Sequence, residues 1–418
     1  MREKAADNRR MNHVSQSEPG AGAGRRGTMR RTAARTAGRD DAAPVRRLRL
    51  DFRHHGELAL ADAPVRGDLS AAAIAGDTLW VANDEFPTVE RLVPIGDGVY
   101  GEHRAFALGT LFDLPGGHEG EMDIEGLEVD GGYLWVVGSH SLTREKPKPT
   151  ENEPAEALAK LNTLRWQPNR AFLGRVPLVS AAGEGEGEAA GRFELGGRAD
   201  GSSRGRRPAC LRLSPKRDRG GITRAVRGDE HLAAFLGIPA KENGFDIEGI
   251  AVRGERVLVG MRGPVLRGWA LILELEIGEP KPGRLKPRRI GRDGERYGKH
   301  FLNLDGLGIR DLTLRGDDLL ILAGPTMDLS GPAAVFRWAD ALGRTGCTVV
   351  PRQELERLIE LPEGVGEDHP EGIAVIPGDG EGGGADLLLV VYDSPAGHRL
   401  HDDGAGIDAD LFELPLRQ

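Results

Sequence analysis

The fold is decided by the stretch Asp246-Ile247-Glu248-Gly249-Ile250-Ala251-Val252, which recurs with small changes at residues 123–129 and 369–375. Each copy is followed by a polar turn and a second apolar stretch, as in Tyr-Leu-Trp-Val-Val at residues 133–137. Apolar stretches on both sides of a turn that contains Gly or Asp are typical of a β-hairpin. Two weaker copies begin at Leu69 and Ile309. The chain therefore predicts at least five related hairpins.

The spacing of these hairpins indicates the architecture. The position that holds glutamate in the best copies is occupied by Ser70, Glu125, Glu248, Arg310 and Glu371. Most steps are about 60 residues and one is about twice as long, which is typical of the blades of a β-propeller. We predict an all-β protein, a β-propeller with six blades and short helical insertions, whose sixth blade lies in residues 192–236. Five blades with a long insertion is the alternative.

The domain boundaries follow from closure of the ring. A strand at residues 48–52 is expected to pair beside one at residues 411–416, which would cover the open sheet edges. Residues 1–50 carry 13 Lys and Arg against 5 Asp and Glu. We therefore predict a disordered basic leader at residues 1–47 and a β-propeller domain at residues 48–418. Helices are expected at residues 153–164, 229–236 and 351–359.

Composition argues against several classes of protein. The 418 residues have a formal charge of −9 and 5% aromatic residues, so nucleic acid binding is not expected. No apolar run approaches the roughly 18 residues of a membrane span. Two cysteines indicate a reducing, cytoplasmic location. Because phosphate-loop and dinucleotide motifs are absent, we expect no nucleotide cofactor. The protein is expected to be a monomer.

The repeat predicts where charged residues meet. The first strand of each propeller blade lines the central channel, so Glu125, Glu248 and Glu371 are expected to converge at one rim. The second strand of each hairpin runs back towards the end where the first strand began. The residues at the end of the second strand are therefore expected to lie at the same rim of the channel. The segment at residues 142–169 is expected to cover the channel mouth. The candidate ligand-binding residues are Asp84, Glu85, Ser139, His369, Arg310 and Asp393.

Three converging carboxylates need compensation. Two carboxylates about 6 Å apart repel by roughly 3 kcal/mol at an effective dielectric constant near 20. Either one stays protonated, or Arg310 compensates, or a cation lies among them. Oxygen ligands suit calcium or magnesium better than zinc. Alternatively, the glutamates cap backbone amides of the adjacent blade. The candidate metal ligands are Glu125, Glu248, Glu371, Asp123 and Asp246.

Three segments resemble a bacterial family known as domain of unknown function 3616 (DUF3616): residues 123–127 with 134–141, residues 244–250 and residues 369–373. The Asp-x-Glu-Gly-Ile/Leu element is also similar, more distantly, to strings that open blades in esterase-like phytase domains and SdiA-regulated propeller-like proteins. This second resemblance implies an acidic channel and calcium-dependent hydrolysis of a phosphate or other ester. Ser70 and Arg310 depart from that pattern and break the ring of carboxylates.

These observations lead to two functional hypotheses. The first is a hydrolase in which a divalent cation at the acidic channel mouth polarises an ester or phosphoester. Its candidate catalytic residues are Glu125, Arg262 and His140, the last as a general base. The second is a non-catalytic propeller that binds a small molecule or a peptide on the same face.

Overall fold

The described part of the chain consists mainly of antiparallel β-strands. The structure is a computed structural model, and it describes residues 43–53, 65–148, 150–181, 191–197, 205–290, 294–327, 331–361, 367–378 and 384–416. These residues belong to one compact unit, Asp40–Gln418. The predicted leader at residues 1–47 lies outside the described residues except for its last five.

Strand β1, Arg46–Asp51, precedes five sheet units that we call blades 1 to 5. Blade 1 contains β2 (Leu69–Ala75), β3 (Thr78–Asn83), β4 (Thr88–Gly96) and β5 (Val99–Ala107). Blade 2 begins with β6 (Ile124–Asp130) and β7 (Tyr133–Gly138). A small hairpin of β8 (Thr143–Arg144) and β9 (Leu164–Arg165) follows, and blade 2 resumes with β10 (Leu173–Ser180) and β11 (Phe193–Leu195).

An insertion that holds β12 (Ala209–Cys210) leads to the remaining blades. Blade 3 contains β13 (Asp246–Arg253), β14 (Arg256–Leu266), β15 (Trp269–Lys281), β16 (Arg284–Pro287) and β17 (Gly298–Leu302). Blade 4 contains β18 (Gly308–Arg315), β19 (Asp318–Gly324), β20 (Ala333–Trp338) and β22 (Leu355–Leu361); β21 (Thr348–Val350), which lies between them in the chain, pairs with β17. Blade 5 contains β23 (His369–Ile376), β24 (Leu387–Asp393) and β25 (Gly406–Glu413).

Helices are short and lie between the strands. The α-helices are α1 (Pro154–Asn162) and α2 (Thr223–Val226). The 3-10 helices are Val65–Gly67, Leu108–Thr110, Pro168–Ala171, Arg217–Arg219, Ala233–Gly237, Ala341–Gly343, Arg352–Glu354 and Gly397–Arg399. In the part of the chain that the structure describes, none of the helices has the length and apolarity that crossing a membrane requires.

The inner strands of the five blades form a closed cycle. Strand β2 contacts β6, β6 contacts β13, β13 contacts β18, β18 contacts β23, and β23 contacts β2. Strand β1 pairs antiparallel with β25, with Leu48 opposite Ala409, and so becomes the outer strand of blade 5. It also pairs with β5 of blade 1, where Leu50 lies opposite Tyr100. The arrangement is a β-propeller whose ring is closed by the first described strand, as the sequence predicted.

The described residues form five blades, whereas six were predicted. Residues 192–236 contribute β11, which extends the outer edge of blade 2 by pairing with β10. They also contribute β12, which pairs with β10 and with β16 of blade 3. Because both strands are only two or three residues long and join existing sheets, they do not make a separate blade.

The predicted helices agree only in part. The first is present as α1, and the second is the 3-10 helix Ala233–Gly237. The third is wrong: residues 351–359 form one 3-10 turn, Arg352–Glu354, and then enter β22. Leu355, Ile359 and Leu361 of β22 are buried, and the strand pairs with β20, so packing at the blade edge outweighs the helix-like spacing.

A glycine after the repeat glutamate lets neighbouring blades approach closely. Gly249 has φ +91°, and a Cβ there would lie 2.7 Å from Cα of Asp311 in blade 4. A Cβ on Gly372 would lie 2.9 Å from Cα of Ala71 in blade 1. Since atoms cannot approach so closely, these inner strands tolerate only glycine at this separation. The inner strands of neighbouring blades therefore lie close together near the axis.

Candidate functional site

The repeat position is a bulged residue in every inner strand. In β6, Ile124 pairs with Gly138 and Gly126 with Val137, so Glu125 has no partner across the ladder. The pairing skips Ser70, Arg310 and Glu371 in the same way, and in β13 it passes over Glu248 together with Gly249. A bulge leaves its extra residue unpaired and changes the direction of the side chain.

All five bulged residues line one cavity of about 720 Å³, which we call the axial cavity. Residues that close the second strands also line it, among them Asp84, Arg262 and Asp393. Glu125, Glu248 and Glu371 therefore belong to one site although they come from three blades. His369 and Asp123 lie in the same lining.

Two arginines compensate the carboxylates of blades 3 and 5. Arg262 places Nη2 2.6 Å from Oδ2 of Asp246 and Nη1 2.8 Å from Oε1 of Glu248. Nη1 of Arg310 lies 3.0 Å from Oε2 of Glu248 and 2.9 Å from Oε1 of Glu371. Burial still raises the pKa of Asp246 to about 7 and that of Glu371 to about 8. Compensation by Arg310 was one of the alternatives that the sequence left open.

A third arginine, Arg170, was missed in the sequence. Its Nη1 lies 2.6 Å from Oδ2 of Asp123 and donates a hydrogen bond of 2.9 Å to Oγ of Ser141. Its Nε donates a hydrogen bond of 3.0 Å to Glu121. Arg170 lies in the 3-10 turn before β10, outside the repeat, so its only sequence signal is a charged residue just ahead of an apolar strand.

Three carboxylates of the lining form no ion pair within the described residues, and we call them the acidic wall: Asp68, Asp84 and Glu125. Within the described chain, no ion pair or hydrogen bond involves these three side chains. Burial raises the pKa of Glu125 well above its usual value, and the carboxylates of Asp123 and Glu248 raise it further. Burial raises the pKa of Asp84 to about 8, with a contribution from Asp123.

Four of the predicted site residues do not line the cavity: His140, Ser139, Glu85 and Asp246. His140 is 2% exposed, its Nδ1 lies 2.8 Å from the carbonyl oxygen of Gly138, and burial lowers its pKa to about 4. A base must reach the proton that it removes, so this position does not fit a general base for a ligand in the cavity. Ser139 is buried against Ser141, Glu85 is exposed, and Asp246 lies behind Arg262.

The donor set does not fit a divalent cation. Across the described ranges, no three His, Cys, Asp or Glu side chains are grouped so that they could hold a metal ion. Asp246, Glu248 and Glu371 bind arginines, and Asp123 binds Arg170. A bound guanidinium takes the place that a cation would need, so we derive no chemistry through a metal here.

The segment predicted to cover the channel mouth does border the cavity. Residues 142–147 and Leu161 line it, and they belong to the β8–β9 hairpin with α1 between its strands. Nη2 of Arg144 donates a hydrogen bond of 3.0 Å to Oε2 of Glu242, which lies in the 239–242 loop on the same rim. This ion pair ties the hairpin to the loop that precedes blade 3.

These sheets and this cavity define a β-propeller with a charged axial site. Residues 68–410 match the family described as protein of unknown function (DUF3616), and the chain belongs to that family. No curated protein matches the chain. The kinship with phytase-like propellers stays a prediction.

Solved structures resemble the chain only weakly. Glutaminyl cyclase from Myxococcus xanthus is 11% identical, covers 89% of this chain and 100% of its own, and has a TM-score of 0.35. The PQQ-bound aldose sugar dehydrogenase from Streptomyces coelicolor is 12% identical, with 89% and 100% coverage and a TM-score of 0.34. A putative oxidoreductase (glucose dehydrogenase) from Thermus thermophilus is 15% identical, with 84% and 99% coverage and a TM-score of 0.32. Likeness at this level carries no argument about function.

Proposed function

We propose that this protein binds a small molecule with a positively charged group, such as an ammonium or a guanidinium, in the axial cavity. The observation that carries the proposal is the acidic wall. Among the described residues, Asp68, Asp84 and Glu125 line the cavity without an ion-pair partner, whereas Asp123, Glu248 and Glu371 bind Arg170, Arg262 or Arg310. A ligand cation would supply the missing partner.

Electrostatics supports this assignment. The raised pKa values of Asp84 and Glu125 indicate that their negative charges are poorly compensated in the protein alone. A cation within hydrogen-bond distance favours the ionised carboxylate and gains a charge-assisted hydrogen bond. The cavity volume of about 720 Å³ lies within the range of small-molecule sites.

The test is a comparison of charged and neutral probes by thermal unfolding. We expect agmatine, spermidine or arginine to raise the Tm of the wild-type protein, and glucose and malonate to leave it unchanged. Glu125→Gln should remove the shift. Glu119→Gln is the matched control, because Glu119 is exposed and does not line the cavity.

Calcium is included as a separate probe because a divalent cation was predicted from the sequence. A Tm that responds to calcium alone, with loss of the response in Glu125→Gln, would restore the metal-dependent hypothesis. No response to any organic cation, or an equal response in Glu125→Gln, would rule out the proposed ligand class.

A hydrolase is the second candidate, and one observation favours it. Glu125 faces the cavity as a carboxyl group whose pKa is raised well above its usual value, mainly by burial, which suits a general acid. In this scheme water attacks the acyl carbon or phosphorus of the ester, and the bond to the leaving oxygen breaks as Glu125 donates its proton to that oxygen. The proton of the attacking water is released to solvent, from which Glu125 is protonated again. Turnover of p-nitrophenyl esters or phosphoesters that is lost in Glu125→Gln but kept in Glu119→Gln would establish it.

A further inference from the structure

We propose that a second binding site for a phosphate monoester lies on the outer edge of the propeller, in a groove between blades 2 and 3 that we call the arginine groove. The groove has a volume of about 820 Å³. Its floor includes the apolar side chains of Phe112, Leu211 and Leu213, and three arginines line it: Arg207, Arg212 and Arg284.

The groove is built by the insertion that was expected to form another blade. Strand β12 pairs antiparallel with β10, where Gly174 lies opposite Cys210, and parallel with β16, where Cys210 lies opposite Arg284. The amide of Leu211 donates a hydrogen bond of 2.8 Å to the carbonyl oxygen of Leu173. These hydrogen bonds fix the backbone of the insertion to the sheets of blades 2 and 3, so its arginines extend from an ordered backbone.

Within the described part of the chain, the three arginines of the groove have no partner. Among the residues that the structure describes, no ion pair or hydrogen bond involves the guanidinium groups of Arg207, Arg212 or Arg284. The arginines of the axial cavity, by contrast, each bind carboxylates. Of the described residues that line the groove, Asp113 is the one that is acidic. The site is therefore positively charged in a chain whose formal charge is −9.

The surrounding surface carries the same charge. Residues 205–227 hold eight Lys and Arg against one Asp. Such a field raises the local concentration of anions and speeds their association. The guanidinium fork matches the oxygens of a phosphate in two parallel hydrogen bonds.

The ligand class follows from the lining. Three cations suit a dianion better than a monocarboxylate, which indicates a phosphate group. The apolar floor next to them suits an apolar or aromatic body on the same molecule. Among the described residues that line the groove, the aromatic side chain is that of Phe112, which is buried and offers no face on which nucleic acid bases could stack. We therefore assign the groove to a phosphate monoester of modest size.

The experiment is isothermal titration of the whole protein with phenyl phosphate at low salt. We expect binding that weakens with added sodium chloride. Arg284→Gln should weaken it about tenfold or more, because a charge-assisted hydrogen bond is lost. Arg227→Gln, an exposed arginine of the same insertion outside the groove, should leave affinity unchanged.

Two cysteines give an independent readout in the same molecule. Cys210 lines the groove, whereas Cys347 is exposed and lies elsewhere. Bound phenyl phosphate should slow the reaction of Cys210 with a neutral maleimide and leave that of Cys347 unchanged.

A second binding experiment with lipid vesicles distinguishes a soluble phosphate ester from a lipid headgroup that carries the same phosphate group. Binding of phenyl phosphate in solution assigns the groove to a soluble ester, whereas binding only to vesicles that contain phosphatidic acid assigns it to a lipid headgroup. In both cases Arg284→Gln must abolish or weaken the interaction. If neither probe binds, or if Arg284→Gln and the wild-type protein bind equally, the site does not exist.

Discussion

Glu248 of blade 3 and Arg310 of blade 4 hold the same position of the repeat and form an ion pair of 3.0 Å across the boundary between the blades. The same arginine nitrogen also reaches Glu371 of blade 5, at 2.9 Å. At position 310 the repeat has arginine instead of glutamate, and this change allows Glu248 and Glu371 to lie close together at the axis of the propeller. The acidic wall lies where no such substitution provides a partner.

Arg310→Gln should destabilise the protein strongly. It removes the cation between Glu248 and Glu371 in a buried position, and breaking such a network costs about 3 to 5 kcal/mol in free energy of unfolding. Urea unfolding measures this. Arg337→Gln is the control, because Arg337 also lies between two carboxylates, Asp318 at 2.8 Å and Glu356 at 3.1 Å, but near the surface. There the loss should stay below about 1 kcal/mol. Equal losses would contradict the role given to Arg310.

Gly249→Ala should cost more stability than Gly254→Ala. Both glycines have positive φ, +91° and +64°, so both substitutions strain the backbone by about 1 to 2 kcal/mol. Only at Gly249 does the new Cβ also collide with the backbone of the next blade, at Asp311 and Leu312. The difference between the two variants in urea unfolding reports the close approach of the blades. Similar midpoints would show that the inner strands can move apart freely.

Asp84 should make the protein less stable as pH rises. Its pKa is about 8 in the folded chain, mainly because of burial, and 3.8 is the ordinary value. Between these values the folded state holds a proton that the unfolded state has lost, so stability falls with pH by at most about 1.4 kcal/mol per pH unit. Below pH 4 this contribution is fully present. Asp84→Asn should therefore flatten the decrease of Tm between pH 5 and pH 8. An unchanged slope would contradict the shift.

Binding of an organic cation in the axial cavity should release protons. This prediction rests on the proposed function. At pH 7 Asp84 carries a proton in the free protein, and an ammonium group beside it favours ionisation. Titration with agmatine in PIPES and in Tris should give different apparent heats, because the buffers take up protons with different enthalpies. Asp84→Asn should reduce the difference. Equal heats in both buffers would mean that the ligand does not approach this carboxyl group.

Much of the fold could be predicted because the repeat carries it. The glutamate and glycine of the best copies mark inner strands, since bulges and close approach restrict those positions, and the strand at residues 48–52 was correctly paired with the end of the ring. No separate sixth sheet forms in the described residues, because β11 extends the edge of blade 2 and β12 lies between β10 and β16. Which sheet a short strand joins depends on its neighbours in space, and a single sequence does not reveal them.

The site was predictable only where it lies on the repeat. Glu125, Glu248, Arg310 and Glu371 line one cavity because each is a bulged residue at the same height of an inner strand. Arg170 lies in a turn outside the repeat, so no sequence pattern predicted its contact with Asp123. His140 lies at the end of the second strand of its hairpin, as predicted, but its ring points into the protein and packs against Gly221. A Cβ on Gly221 would lie 2.4 Å from Nε2 of His140. Side-chain direction at a strand end depends on tertiary packing.

The pairing of β1 with β25 sets the order of events during synthesis. Residues 46–51 leave the ribosome long before residues 406–413, yet each is the other's partner in the ladder. The edge of β1 that pairs with β25 must therefore stay unpaired, with its hydrogen-bonding groups bound to water or a chaperone, until β25 has been synthesised. A chain released before residues 406–413 are made would leave β1 and β24 without the strand that pairs with both, and exposed strand edges of this kind promote aggregation.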